Sequence, residues 1–299
     1  MKKLLPDATL YIIFRYKIIN KIQHMKKIVV FLSLGIILSC SLTSCKKDKG
    51  DPPVLPPIES FNIDFSNFES GKKSADILLP KGIENINWQF TAGVAGCFQA
   101  LIVTTLAVPI TAFENAIDQK PTYLREKTWQ WSYNVTFLNV TYKARLTGEI
   151  RNTDVKWEMY ITKEGSGGFA EFLWFEGTSK IDGTEGQWIL NHSSQFKEPL
   201  LKIDWTMSGN SVNYIKYTYE RSLDNDKNTD PNKSSYIEYG RISGTFDSYY
   251  KIKYYNTLKF SELDVEWSST FKNGRVKCLD FFGNQEWHCW DGNYINVDC

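Results

Sequence analysis

The chain has 299 residues, 42% of them hydrophobic and 23% charged, with 35 Lys or Arg against 34 Asp or Glu. Seven of the basic residues and one of the acidic ones precede Cys45, which leaves 28 against 33 beyond that point, a net of about −5. A mildly acidic surface argues against a nucleic-acid or anionic-membrane footprint, since both need clustered Lys and Arg.

Near the N-terminus, Ile28 to Leu38 ("IVVFLSLGIIL") is an uncharged apolar run behind Met25, Lys26 and Lys27. Such a run after a basic cap reads as a secretory signal and is too short for a secure membrane span. The segment Met1 to His24 does not fit the scheme, so translation is expected to begin at Met25. Residues Leu42, Thr43, Ser44 and Cys45 resemble the lipobox of bacterial lipoproteins, with Cys40 a poorer second candidate. The resemblance is to lipoproteins of the Bacteroidetes type. It implies that residues 1–44 are removed, that Cys45 carries a diacylglycerol and palmitate anchor, and that the chain sits in the cell outer membrane, on its periplasmic face or at the cell surface. It implies no activity. Behind Cys45, residues 45–60 are rich in Pro, Lys and Asp and read as a flexible tether, with 61–299 as a single β-rich domain.

In "TWQWSYNVTF", Trp129, Trp131, Tyr133, Val135 and Phe137 alternate with polar residues, the period of a half-buried strand. After Leu138 and Asn139 the phase reverses through Val140, Tyr142, Ala144 and Leu146, which predicts a hairpin. "VKWEMYI", "FAEFLWFEG", "GQWILNH", "LLKIDWTM", "VNYIKYTYE", "SYIEYGRI", "SYYKIKYY", "LDVEWSS" and "RVKCLDFF" follow, separated by turn signals such as Asp182-Gly183 and Ser208-Gly209-Asn210. The expected fold is mainly β: an antiparallel up-and-down meander of roughly ten strands, as a barrel or a strongly curved sheet, with no propeller-like repeat.

One segment breaks this pattern. Between Glu84 and Glu114 no residue is charged, and Ala and Leu favour helix over about 91–118, with Pro109 where one helix would stop and another begin. Length alone would fit a membrane span. Gln99, Thr104, Thr105 and three helix-weakening residues favour instead a helix buried against the concave face of the sheet.

Chemistry-bearing motifs are few. His192 and His288 are the only histidines beyond the tether, and no nucleophile elbow, P-loop, dinucleotide fingerprint or H-E-x-x-H is present. Asp224, Asp226, Asn228 and Asp230 alternate like the oxygen ligands of a calcium loop. Thr229 stands where that loop needs Gly and Ser235 where it needs Glu, and a solvated hairpin loop explains the run as well. Tyr249 and Tyr255, out of phase with their strand's inward residues, are candidates for an exposed platform for sugar rings or a protein partner. The expected role is a membrane-anchored, non-enzymatic module binding a glycan, an apolar ligand or an envelope protein. The alternative is a carboxylate-based hydrolase such as a glycosidase.

In an oxidising envelope the cysteines left after lipidation, Cys97, Cys278, Cys289 and Cys299, tend to pair. The expected bridges are Cys289 to Cys299, across the Asp291-Gly292-Asn293 turn, and Cys97 to Cys278; the runner-up joins Cys278 to Cys289. A metal set of His288, Cys289, Asp291 and Cys299 is disfavoured, because neighbouring residues of a strand point to opposite faces.

Overall fold

The computed structural model describes residues 49–69 and 83–299. Cys40, Cys45 and the apolar run at Ile28 to Leu38 lie outside them. Fourteen antiparallel strands follow one another in sequence order across a single sheet. They are β1 Thr122–Arg125, β2 Thr128–Phe137, β3 Val140–Ile150, β4 Asp154–Lys163, β5 Phe169–Lys180, β6 Glu185–Asn191 and β7 Pro199–Ser208. Then come β8 Ser211–Tyr219, β9 Tyr236–Arg241, β10 Ser248–Asn256, β11 Lys259–Trp267, β12 Gly274–Lys277, β13 His288–Trp290 and β14 Asn296–Val297. The sheet does not close, and β1 and β14 are its edges.

Register follows from alternation. Phe137 pairs with Val140 across the two-residue turn at Leu138-Asn139, so the phase reversal in the sequence keeps both strands' apolar residues on one face. On that face Trp129, Gly148, Trp157, Gly177 and Trp188 stand opposite one another across β2 to β6. The glycines make room for the indoles: a Cβ on Gly177 would lie 2.2 Å from the Gln187 carbonyl oxygen and 2.4 Å from the Trp188 ring. Large rings thus lie flat on neighbouring backbone. On the outer face Asp204, Lys216, Glu238, Lys251, Asp264 and Lys277 are cross-strand neighbours of alternating sign over β7 to β12. Opposite charges on facing residues support this register and penalise a slip.

The inner face is filled from two sources. The first is the N-terminal strap. Pro53, Pro56 and Ser60 are buried, so the segment expected as a tether up to Ser60 is already packed from Pro53 onward. Two 3-10 turns, Ile58–Phe61 and Ser66–Phe68, present Phe61, Phe65 and Phe68 to the core. Phe68 meets Trp267 edge-on with centroids 5.0 Å apart, and the Tyr217 hydroxyl donates to the Phe61 carbonyl at 2.5 Å. An aromatic every three or four residues gives this coil its grip, which a proline-rich reading misses.

The second source is a helix, Ile86–Ile117, 32 residues long. It begins earlier than expected and runs through Pro109 without a break. Its inward stripe is Ala92, Ala95, Ile102, Leu106, Pro109, Ala112, Phe113 and Ala116. Near its start the Asn87 side chain donates to the Cys289 carbonyl at 2.8 Å. Near its end the Tyr133 hydroxyl of β2 donates to the Ala112 carbonyl, while Phe113 lies 5.6 Å from the Trp188 ring of β6. In a flat sheet β2 and β6 stand about 19 Å apart. Adjacent helix residues touch both, so the sheet curls around the helix.

The helix is not buried all round. By length and composition it is the one helix among the described residues able to cross a membrane, yet only 22% of its most apolar stretch is buried. Leu101 and Val103 are 64% and 59% exposed. The small stripe Ala92, Ala95, Ala112 and Ala116 seats the helix closely on one side and leaves the other side open.

Candidate functional site

An apolar groove runs between the open flank of the helix and one end of the sheet. Its first part, about 580 Å³, lies between Phe90, Val94, Cys97 and Leu101 of the helix and Tyr254 of β10 with Phe281. Its second part, about 380 Å³, lies between Phe98, Leu101, Ile102 and Thr105 of the helix and Leu200, Leu201, Tyr217, Tyr219, Ser235 and Ile237 of β7 to β9. The two share Phe98, Leu101 and Tyr254 and form one trough. Helix positions 90, 94, 97 and 101 form a stripe at i+4 and i+3 spacing, so one flank of the helix supplies one wall.

No charged side chain is among the described lining residues. Two lining residues carry a buried oxygen without a hydrogen-bond partner, Gln89 Oε1 in the first part and Ser235 Oγ in the second. The Gln89 amide nitrogen is held by Asn85 Oδ1 at 2.7 Å. Around the second part, burial pushes the Tyr219 phenol up to about 12, helped by its bond to Asp230. Burial also raises the Tyr217 phenol, so both rings are neutral over the physiological range. The trough is a channel of hydrocarbon and neutral rings with a few hydrogen-bonding points, the composition of sites for apolar small molecules.

The residues singled out in the sequence fall elsewhere. Tyr249 and Tyr255 are both half-buried on the outer face of β10, six residues or about 20 Å apart, and form no joint platform. The Tyr249 ring covers Gly240 and its hydroxyl donates to Glu238 Oε1 at 3.0 Å; Tyr255 packs edge-on against Phe260. The run from Asp224 to Asp230 is a self-bonded loop. Asp224 Oδ1 accepts from the backbone N–H of Asp226 and Asn228, and Asp230 accepts from Tyr219 and Asn232. Among the described residues no three His, Cys, Asp or Glu side chains gather as ligands, so the alternate spacing does not become a calcium cage. Carboxylates of the outer face are drawn into ion pairs, such as Arg275–Glu266 at 2.6 Å and Lys277–Asp264 at 3.0 Å.

Cys289 and Cys299 stand at disulfide distance, with Cα atoms 5.2 Å apart. Cys97 and Cys278 are not joined. Cys97 is on the open flank of the helix, in the groove wall, while Cys278 is buried at the end of β12, where burial raises its thiol. The expected pairing failed because the helix turns its alanine stripe, not Cys97, toward the sheet. His288 is stacked on Phe282 with centroids 3.8 Å apart. The groove itself had one signal in the sequence, the charge-free stretch after Glu84, but an apolar flank left open cannot be told from a buried one by composition.

No family model matches the chain, and no curated protein and no solved structure is significantly similar to it.

Proposed function

We propose that the chain is a membrane-anchored, non-enzymatic binding module of the cell envelope whose groove takes an elongated apolar molecule of the fatty-acyl kind. The single observation that carries this reading is the uncharged trough itself, two joined volumes of about 580 and 380 Å³ that share Phe98, Leu101 and Tyr254. A hydrocarbon chain fills the space between the helix and Tyr254. The lipobox at Leu42 to Cys45 supports the placement in the envelope, and the C-terminal cysteine pair is consistent with an oxidising compartment.

Titration with a fluorescent fatty acid tests the groove. Saturable binding of one probe per chain is expected, weakened tenfold or more by Leu101→Glu, which puts a carboxylate at the shared middle of the trough. Binding that is non-saturable, or equal in the variant, rules the groove out. Fatty-acid metabolic labelling tests the anchor separately: Cys45→Ala is expected to lose the label.

A further inference from the structure

We infer that the trough takes a neutral-headed amphiphile of the monoacylglycerol class in preference to an ionised fatty acid, with the polar head against Tyr219 and Asn232. The inference rests on the proposed binding of an acyl chain in the trough. It adds which end holds the head and what charge the head carries.

The two parts of the trough differ in polarity. Apart from Cys97 and the shared Tyr254, the first part offers one polar side chain, Gln89, whose amide nitrogen is already held by Asn85. The second part brings Thr105, Tyr219, Asn232 and Ser235 together, and Asn232 is exposed, so this part meets water. The acyl chain therefore lies along Phe90, Val94, Phe98 and Leu101, and the head sits at the wet end. From Ile86 to Thr105 the helix wall is about 28 Å long, enough for a long chain and its head in one line.

What stands behind the wet end sets the charge of the head. Asp230, 6% exposed, holds both residues there. Its Oδ2 accepts from the Tyr219 hydroxyl at 2.7 Å, and its Oδ1 accepts from the Asn232 backbone N–H at 2.9 Å and from the Asn232 amide at 3.0 Å. Burial works against the charge of Asp230, but the bonds from Tyr219 and Asn232 and the nearby Arg221 outweigh it, and the carboxyl is held below the usual range. It is therefore ionised. The neighbouring cations are already engaged. Arg221 Nε donates to Glu198 at 3.0 Å and its Nη2 to Asn225 at 2.9 Å, while Lys233 Nζ turns to Ser222 Oγ at 2.7 Å. Asp230 and Glu198 outnumber Arg221, which leaves one negative charge behind the head site. At the other end Lys259 is paired with Asp280, next to the lining residue Phe281.

A carboxylate head would thus be desolvated beside the Asp230 charge, with no charged side chain among the described lining residues to receive it. A glycerol head meets a matching set. The Asn232 amide keeps a second N–H and its oxygen, and the Tyr219 oxygen, its hydrogen directed at Asp230, can accept. Hydroxyls that donate and accept satisfy these groups without adding charge.

The test is calorimetric titration of the whole chain at neutral pH with 1-monolauroylglycerol and with laurate, each below its aggregation concentration. The glycerol ester is expected to bind about tenfold or more tightly than the carboxylate of the same chain length. Asp230→Asn keeps an oxygen to accept from Asn232 and removes the charge; it is expected to tighten laurate about fivefold or more and to leave the ester within about twofold. Asn232→Ala, at an exposed position, is expected to weaken the ester about threefold or more. Laurate that binds as tightly as the ester, or more tightly, overturns the inference and leaves the groove reading standing. Laurate affinity unmoved in a folded Asp230→Asn, or ester affinity unmoved in Asn232→Ala, overturns it as well, since the head then lies elsewhere. Binding of neither amphiphile overturns this inference and the groove reading together.

Discussion

Phe61 lies flat on Trp188, ring centroids 4.9 Å apart and planes within 12°, and the Trp188 indole N–H donates to the hydroxyl of the neighbouring Ser60 at 3.1 Å. One strap residue thus fills the space above β6 and the next satisfies the only polar atom of its largest side chain. Both are fully buried, and Ser60 is 128 residues away in sequence from the tryptophan it holds.

Removing the strap's grip therefore costs as much as a core truncation. Phe61→Ala is expected to lower unfolding stability by about 3 to 5 kcal/mol. Ser60→Ala, which leaves a buried indole N–H unpaired, is expected to cost about 1 to 3 kcal/mol. Urea titrations followed by tryptophan fluorescence measure both. Losses near zero would mean that the strap detaches without consequence.

The glycine positions divide into two kinds. Gly177→Ala forces a methyl onto the Gln187 carbonyl and the Trp188 ring, and is expected to cost about 3 kcal/mol or more. Gly183, at φ 70 in the turn between β5 and β6, has nothing near its missing Cβ. Gly183→Ala bears only backbone strain, about 1 to 2 kcal/mol. Chemical denaturation of the pair should keep this order; a reversed order removes the close ring-on-backbone packing proposed for the Trp and Gly row.

Much of this architecture is legible in the chain because a half-buried strand repeats every two residues. The phase switch at Leu138-Asn139 names both the hairpin and its register, and the longer strands that follow announce themselves in the same way. What the period cannot show is structure without a period. The strap grips through Phe61, Phe65 and Phe68 in an irregular coil, and β13 and β14 have three and two residues, too short to alternate visibly. Near the C-terminus "RVKCLDFF" keeps its strand only to Lys277; Leu279–Phe282 turns into a short helix closed by Gly283 at φ 75. Pro109 does not end the helix as its residue type predicts: the ring removes one internal hydrogen bond, a loss that burial of the proline against the core offsets. The groove was hidden for a different reason, since it depends on which flank of an all-apolar helix the sheet leaves uncovered.

Neutral buried phenols set the alkaline limit. Burial first, with nearby acids second, pushes Tyr214 and Tyr219 up to about 12, and burial raises Tyr217 and Tyr250 as well. In the unfolded chain these groups ionise near 10. Above that pH the unfolded state has released protons that the folded state still holds, so stability falls as pH rises from 10 toward 12. Equilibrium unfolding in urea at stepped pH should show a midpoint that is flat below pH 9 and drops beyond 10, with part of the tyrosinate absorbance appearing only on unfolding. A midpoint unchanged up to pH 12 would mean that these rings are not buried as neutral phenols.

The cysteines allow the sharpest check of the C-terminal end. Cys289 to Cys299 closes a ten-residue separation, which in the chain-entropy model is worth about 2.5 to 3 kcal/mol. The bridge also secures β14 beside β13, where the Asn87 side chain caps the Cys289 carbonyl, so it links the end of the chain to the start of the helix. Reduction is expected to lower the melting temperature and to speed hydrogen exchange in β13 and β14 before the rest of the sheet. Thiol counting with a maleimide separates the other two: Cys97, exposed on the groove flank, reacts in the native protein, whereas Cys278 reacts only after denaturation. Within residues 50–299, which hold four of the six cysteines, a third reactive thiol without reductant would dissolve the C-terminal staple, and no native reaction at Cys97 would mean that the open flank of the helix is covered.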